Sequence, residues 1–286
     1  MAAPFSSDDG KSVKAISAED AKALVLGQPL HMVILVDASG SMGHLVVPVV
    51  DAVNGAVKEC QNQLATVVAL AGVSEDSKKT SVLLSLHTFT STIGLDKTKA
   101  LVFKTLWDCM PVATAPVWTA AQFKPDGGTP LFDSIAKILC DNKSRANLQV
   151  ILVTDGDDQD STLFRSSITV GERRYLKEVI DEERSRRLTM FGPMAIFELK
   201  GFFIGNDPAY CRELNDMGIA MTAVARSNAG LEAMSSGISS SSTSGMTGWA
   251  QQQSAASAPA GSAVTRTRTI TAATASAPAT AVKTAP

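Results

Sequence analysis

The sequence is poor in histidine and in excess charge of either sign. Among its 286 residues are only three histidines, His31, His44 and His87, which lie far apart along the chain. Because zinc sites in proteins are built mainly from histidine and cysteine, a histidine-based zinc site is not expected. Lysine and arginine number 26 and aspartate and glutamate 28, which gives a net charge of −2. This balance offers no broad basic surface, so we expect neither nucleic acid nor a membrane as a partner.

Cysteine pairs and long apolar segments are also missing. The four cysteines, Cys60, Cys109, Cys140 and Cys211, form no C-x-x-C motif and no closely spaced framework, which favours a reducing compartment. Residues 1–14 lack the basic segment and apolar stretch of a signal peptide. No apolar run approaches the ~18 residues needed to cross a bilayer. We therefore predict a cytoplasmic protein.

Composition separates the chain into three regions. Residues 1–28 form a polar N-terminal extension, and residues 29–238, which alternate apolar and amphipathic segments, are predicted to be one folded domain. Residues 239–286 consist mainly of serine, alanine and threonine, with few bulky apolar side chains. Such a segment cannot bury enough surface to offset its loss of conformational entropy. We predict that this tail is disordered.

The central region predicts an α/β fold. Residues 30–36 and 148–154 are continuous apolar runs, typical of strands buried on both faces of a sheet. From Val46 to Val67, apolar side chains recur every three or four residues, which indicates a long amphipathic helix. Other strands are predicted at 82–89, within 92–106, at 202–205 and at 219–224, and other helices at 131–140, 171–187 and 208–217. This alternation is typical of a doubly wound, mostly parallel sheet flanked by helices.

Three polar motifs fall at the ends of these elements. Asp37, Ser39 and Ser41 form a D-x-S-x-S sequence directly after the first strand. Thr129 lies in a Gly-Gly-Thr-Pro-Leu loop before a helix, and Asp155 follows the other apolar strand. Ligands of open α/β sheets bind outside the carboxyl ends of the strands, where the strand order reverses. If the two strands are neighbours, the carboxylates and hydroxyls converge there, and these hard oxygen donors suit Mg²⁺, Mn²⁺ or Ca²⁺.

Each motif has an ordinary structural explanation when it is taken alone. The serine-rich segment after Asp37 could be a turn that caps the following helix. Thr129 followed by Pro130 is also typical of a helix N-terminus. The acidic run at 155–160 could be a solvated turn. The occurrence of all three motifs at strand ends, in this order, favours a common metal site.

Together the three motifs resemble the metal-ion-dependent adhesion site of von Willebrand factor A domains, and the resemblance extends over about residues 30–238. It implies a doubly wound α/β sheet with one antiparallel edge strand. It also implies that Ser39 and Ser41 bind a divalent cation through their hydroxyls, and that Thr129 binds it directly or through water. Asp37 and Asp155 would stabilise the cation, largely through water.

The resemblance implies a non-enzymatic module in which the cation, Mg²⁺ or else Mn²⁺ or Ca²⁺, captures an aspartate or glutamate of a partner protein. Intracellular proteins of this type often serve as adaptors for ATPases or other multi-subunit assemblies, so a partner of that kind is expected. Two alternatives remain open: a metal-dependent hydrolase, and a scaffold whose metal is only structural. His44, close to Ser41 in sequence, is a candidate base for the hydrolase, although an ordinary place in the first turn of the helix is favoured.

Two further segments lie outside these motifs. Trp118 and Phe123 precede the loop that carries Thr129. Core packing is the favoured interpretation of both rings, and a contact surface beside the metal is the alternative. The charged run at 172–187 is predicted to be a mostly solvated helix, whose opposite charges pair at spacings of three and four.

Overall fold

Strands and helices alternate along the chain in a computed structural model, which describes residues 28–71, 81–95, 97–156, 158–165, 174–205 and 207–257. Residues 1–27 of the predicted extension and 258–286 of the predicted tail lie outside the described residues. The strands are β1 (Leu30–Asp37), β2 (Val82–Ile93), β3 (Lys99–Pro111), β4 (Asn147–Thr154), β5 (Phe164–Arg165), β6 (Arg174–Tyr175), β7 (Phe197–Ile204) and β8 (Ala220–Val224). The helices are α1 (Val46–Ala71), α2 (Leu131–Asp141), α3 (Leu176–Phe191), α4 (Pro208–Asp216) and α5 (Asn228–Ser257).

Within the described ranges, six strands form one sheet in the order β3-β2-β1-β4-β7-β8. Neighbouring strands are parallel except β2 and β3, which are antiparallel and place β3 at an edge. The chain winds outwards from β1 in both directions, with β2 on one side and β4 on the other. The strand order therefore reverses between β1 and β4. The predicted doubly wound, mostly parallel sheet with one antiparallel edge strand is confirmed.

Every residue of β1 and β4 is buried, because helices cover both faces of the sheet. Alternate side chains of a strand point to opposite faces. On one face, Ile34 belongs to a core cluster with Val53 of α1 and Ile238 of α5. On the other face, Leu35 belongs to a cluster with Ile135 of α2. This double burial explains the continuous apolar sequence of the two central strands.

Helix α3 is less exposed than its charged sequence indicates. The prediction of a mostly solvated helix is wrong for Glu183 and Arg187, whose side chains are buried. Nε of Arg187 donates to Oε1 of Glu183 at 2.7 Å, and Nη2 donates to the carbonyl oxygen of Asn142 at 2.8 Å. Nη1 donates to the carbonyl oxygen of Arg145. Arg187 thus ties α3 to the segment between α2 and β4, and its burial follows from these long-range partners, which a charge pattern along one helix does not reveal.

The tail boundary predicted at residue 238 is wrong, because α5 continues to Ser257. Met246 and Trp249 are buried in the same cluster as the apolar side chains of α1. Nε1 of Trp249 donates to the carbonyl oxygen of Gln28 at 3.0 Å. Small residues let the two helices approach closely, and a Cβ built on Gly55 of α1 would lie 3.1 Å from Oγ of Ser235. A few large side chains at helical spacing therefore suffice to dock a segment whose composition suggests disorder.

Neither disulfides nor a helix able to cross a membrane is found in the part of the chain that the structure describes. All four cysteines are free. No described helix combines the length and the apolar character that a bilayer span needs.

We predict that Trp249→Ala lowers the free energy of unfolding by about 3–5 kcal/mol, the usual cost of removing a large buried side chain. The variant would leave a cavity beside α1 and would lose the hydrogen bond to Gln28. Denaturant unfolding measures the change. The exposed Ser244 lies in the same helix, and Ser244→Ala should change stability by less than about 0.5 kcal/mol. Equal stability of the two variants would contradict the docking of α5 beyond residue 238.

Candidate metal centre

Asp37 ends strand β1 and is completely buried. Its Oδ1 accepts a hydrogen bond from the backbone N–H of Ser39 at 2.8 Å, and its Oδ2 accepts one from the hydroxyl of Thr154 at 2.7 Å. Thr154 ends β4, so one carboxylate joins the ends of the two central strands. Burial raises the pKa of Asp37 to about 6, although the hydrogen bonds from Thr154 and Ser39 act to lower it. The nearby carboxylate of Asp155 also acts to raise this pKa.

Three hydroxyls lie near the ends of β1 and β4. The Oγ atoms of Ser39 and Ser41 are 3.0 Å apart, and Ser41 donates to Oδ1 of Asp155 at 2.6 Å. Thr129 comes from a different loop, but its hydroxyl is close to the same point. A Cβ built on Gly156 would lie 3.3 Å from Oγ1 of Thr129 and 3.9 Å from Oγ of Ser41. The structure therefore brings together all the site residues predicted from the sequence.

An open cleft of about 570 Å³ lies over these side chains. Ser39, Ser41, Thr129 and Asp155 line it. Asp37 is not among the lining residues and is buried behind Ser39, to which it is hydrogen-bonded. The cleft lies at the carboxyl ends of β1 and β4, where the strand order reverses. The convergence of the residues is an observation, and the binding of a cation by them stays a prediction.

The loop that carries Thr129 depends on two glycines. Gly127 has a φ of 76°, a left-handed conformation that other residues adopt only with strain. A Cβ at Gly127 would also overlap the carbonyl oxygen of Ser91. The carbonyl oxygen of Gly127 accepts from the N–H of Gly40 at 2.9 Å, and that of Gly128 accepts from the N–H of Ser91 at 3.1 Å. The loop is thus held between the D-x-S-x-S turn and the end of β2.

Asp160 is another buried carboxylate, and it supports the same loop. It accepts hydrogen bonds from the hydroxyl of Ser91 and from the ammonium group of Lys99. Its carboxylate lies against Gly128, where a Cβ would overlap Oδ2. The interpretation of 155–160 as a solvated acidic turn is therefore wrong at Asp160. Sequence reasoning missed this residue because Lys99 is 61 positions away along the chain.

Arg226, which follows β8, is a further residue of the cleft that sequence reasoning missed. Its Nη2 lies 3.2 Å from Oδ2 of Asp155 and 3.3 Å from the carbonyl oxygen of the same residue. Its Nε donates to the carbonyl oxygen of Ile204 at 3.1 Å. The only available signal was its place just after a strand, at the sheet edge where the other site residues lie.

The donor set determines which cations the cleft suits. Within the described residues, no group of three or more His, Cys, Asp or Glu side chains is placed to hold a metal ion. A cation in this cleft would therefore depend on hydroxyl oxygens together with the carboxylates of Asp37 and Asp155. Hard oxygen donors of this kind suit Mg²⁺, Mn²⁺ or Ca²⁺ and do not suit soft metals. The residues present fit such a cation.

The other residues singled out in the sequence have structural roles or lie away from the cleft. Trp118 and Phe123 are buried, with ring centroids 5.0 Å apart, so their interpretation as core is confirmed and the contact-surface alternative is wrong. His44 is exposed in the turn after β1 and does not line the cleft. Pro130 is the N-cap residue of α2, and the first backbone N–H groups of this helix donate to the side chains of Asp158 and Ser161. The interpretation of Thr129 as a helix cap is therefore wrong.

Comparisons with known proteins give distant similarities in structure alone. The sequence matches no family model and no curated protein. A von Willebrand factor type A structure from Catenulispora acidiphila is 16% identical with a TM-score of 0.36, and the match covers 75% of this chain and 43% of that one. The pilus adhesin SpaC from Lactobacillus rhamnosus GG, in its open conformation, is 14% identical with a TM-score of 0.45, over 77% and 30% of the two chains. The human COPII-coat protein Sec24c is 10% identical with a TM-score of 0.42, over 74% and 32%.

The chain thus spans less than half the length of each of these structures. Similarities this distant say nothing about function. The assignment of the fold class rests on the strand order and on the helices that cover both faces of the sheet.

We predict that Gly127→Ala displaces the Thr129 loop and lowers the free energy of unfolding by at least about 1–3 kcal/mol, the cost of a strained backbone residue. The overlap with the carbonyl oxygen of Ser91 adds to this cost. Gly43 is the matched control, because a Cβ there would meet no atom within 4 Å. Thermal unfolding and backbone NMR shifts of Thr129 measure the effect. If Gly43→Ala and Gly127→Ala behaved alike, the description of this loop would be wrong.

Proposed function

We propose that the protein is a von Willebrand factor A-type binding module that uses a divalent cation to capture an acidic residue of a partner protein. The observation that carries the proposal is the convergence of Asp37, Ser39, Ser41, Thr129 and Asp155 at one open cleft. The position of that cleft, outside the carboxyl ends of two central parallel strands, supports it, since ligands of open α/β sheets bind there.

The residues divide into two groups by the charge of their side chains. Ser39, Ser41 and Thr129 line the cleft and would hold the cation through neutral oxygens. Asp37 is buried behind them, and the side chain of Asp155 has no exposed surface. These two carboxylates would balance the charge of the cation mostly from behind the hydroxyls. A bound divalent cation would then supply an electrophilic coordination position to which a carboxylate from outside binds.

Hydrogen bonds within the chain orient the hydroxyls and carboxylates that would hold the cation. Ser41 donates its proton to Asp155 at 2.6 Å and therefore accepts from Ser39 at 3.0 Å, which leaves one lone pair of its oxygen for a cation. Asp37 is held by Thr154 and by the backbone of Ser39. Turning its carboxylate into the cleft would break both bonds. Side chains that are already held by such hydrogen bonds would lose less conformational entropy when they bind a cation.

We further propose that the module is not an enzyme and acts inside the cell, as an adaptor for a multi-subunit assembly or an ATPase. Four free cysteines agree with a reducing compartment. The side chain considered as a catalytic base, His44, is exposed and does not line the cleft. Capture of a carboxylate by a cation that hydroxyls and buried carboxylates hold would require no group for proton transfer.

Isothermal titration with Mg²⁺ tests the cation site. We predict one site per chain, and we expect Thr129→Ala to weaken binding by at least about tenfold, since loss of an oxygen donor to a charged group costs ~1.5–3 kcal/mol. Thr114→Ala is the matched control, because the Thr114 hydroxyl contacts the carbonyl oxygen of Pro111 at 3.3 Å and lies away from the cleft. Circular dichroism should be unchanged in both variants. Mg²⁺ affinity that is equal in wild type and Thr129→Ala would contradict the proposal.

A further inference from the structure

Arg226 lies in the cleft but has no place among the proposed cation ligands. Its guanidinium donates to Oδ2 of Asp155 at 3.2 Å and to the carbonyl oxygens of Asp155 and Ile204 at 3.3 Å and 3.1 Å. These bonds fix the guanidinium, although 47% of the side chain is exposed. Of the described residues that line the cleft, Arg226 alone is basic. It is therefore a positioned positive charge and not a mobile surface arginine.

Asp155 is shared between this charge and the predicted cation site. Its side chain has no exposed surface. One carboxylate oxygen accepts from Ser41 at 2.6 Å, and the other accepts from Arg226. A buried carboxylate is stable only when hydrogen bonds or an opposite charge compensate its loss of water. Arg226 supplies that charge in this structure, and a cation held by Ser41 would draw on the same carboxylate.

The other carboxylate that lines the cleft is not available to replace Asp155 as the partner of a positive charge. Asp207 lines the cleft, but it caps helix α4. Its Oδ1 accepts from the backbone N–H groups of Ala209 and Tyr210 at 2.8 Å and 3.3 Å. Its charge is thus already engaged at a helix N-terminus, where a carboxylate is stabilised. Competition for negative charge in the cleft therefore centres on Asp155.

We propose that Arg226 is an internal counter-charge that competes with the divalent cation for Asp155 and thereby sets the affinity of the cleft for the cation. The inference rests on the function proposed above. Repulsion between the guanidinium and a nearby divalent ion would also weaken cation binding. Like charges a few ångströms apart interact strongly where water is partly excluded. Arg226 is a positioning residue in this account and not a cation ligand.

The test compares Mn²⁺ binding by isothermal titration in wild type, Arg226→Gln, Arg226→Lys and Arg184→Gln. Removing the competing charge should tighten binding of Mn²⁺ by about five- to tenfold in Arg226→Gln. Arg226→Lys keeps the charge and should stay within about twofold of wild type, as should Arg184→Gln, which removes a half-exposed charge on α3. Damage to the site would weaken binding, so the direction of the change separates this account from a purely structural role.

A second measurement needs no bound cation. In the presence of chelator, Arg226→Gln should melt at a lower temperature than Arg226→Lys, because Asp155 then has no positive partner. Saturating Mn²⁺ should reduce the difference in melting temperature between the two variants. Equal melting temperatures in chelator would overturn the inference, and so would equally tight Mn²⁺ binding by the Gln and Lys variants.

The remaining outcomes separate the two proposals. Binding of Mn²⁺ by wild type without any gain in Arg226→Gln would overturn the role of Arg226 and leave the cation site standing. If neither wild type nor Arg226→Gln bound Mn²⁺ while both remained folded, the proposed function would fail and this inference with it. Binding by Arg226→Gln alone would support both proposals.

Discussion

The carboxylate of Asp37 is buried completely between the ends of two parallel strands, where water cannot solvate its charge. A charge in such a place must be compensated by hydrogen bonds or by an opposite charge. The backbone of Ser39 and the hydroxyl of Thr154 supply the hydrogen bonds, and in doing so they fix the turn after β1 against the end of β4. The raised pKa of Asp37, about 6, means that these bonds compensate the burial only in part. A cation beside it, proposed on the convergence of the five site residues, would supply the opposite charge.

The edge hairpin of the sheet, formed by β2 and β3, also supports the candidate site. Strands β2 and β3 bring Ser91 and Lys99 to Asp160, and Ser91 also pairs with the backbone of Gly128. The Thr129 loop is therefore hydrogen-bonded both to the antiparallel hairpin and to the D-x-S-x-S turn. Segments that are distant in sequence thus fix the backbone of the loop that carries Thr129. Placement of this kind on a rigid scaffold is what a binding site with several oxygen donors requires.

The central strands, and the convergence of the five candidate residues at their ends, could be predicted from the sequence because their signals are local. Continuous apolar runs mark β1 and β4, and a polar residue directly after each run marks the sheet edge where ligands bind. The contributions of Arg187, Asp160 and Arg226 could not be predicted, since each depends on partners that only the fold brings close. The length of α5 was missed for a different reason. Its small residues resemble a disordered segment in composition, whereas in the fold they allow close packing against α1.

The limits of β3 also depend on contacts that its own sequence does not reveal. An edge strand was expected within 92–106, but β2 runs on to Ile93 and β3 occupies Lys99–Pro111. A strand at an edge has only one neighbour to set its limits, so its register depends on that pairing more than on its own pattern. Here the extended hairpin also serves the Thr129 loop, which a pattern within β3 alone does not reveal.

Anomalous diffraction from crystals grown with Mn²⁺ would locate a cation in the cleft directly. We expect a single anomalous peak in the cleft from a cation bonded to the hydroxyl oxygens of Ser39 and Ser41. Thr129 should bind this cation directly or through water, and Asp37 and Asp155 should lie behind the hydroxyls. A cleft without anomalous density at saturating Mn²⁺, or a peak held by other residues, would contradict the claim that these side chains form a cation-dependent binding site.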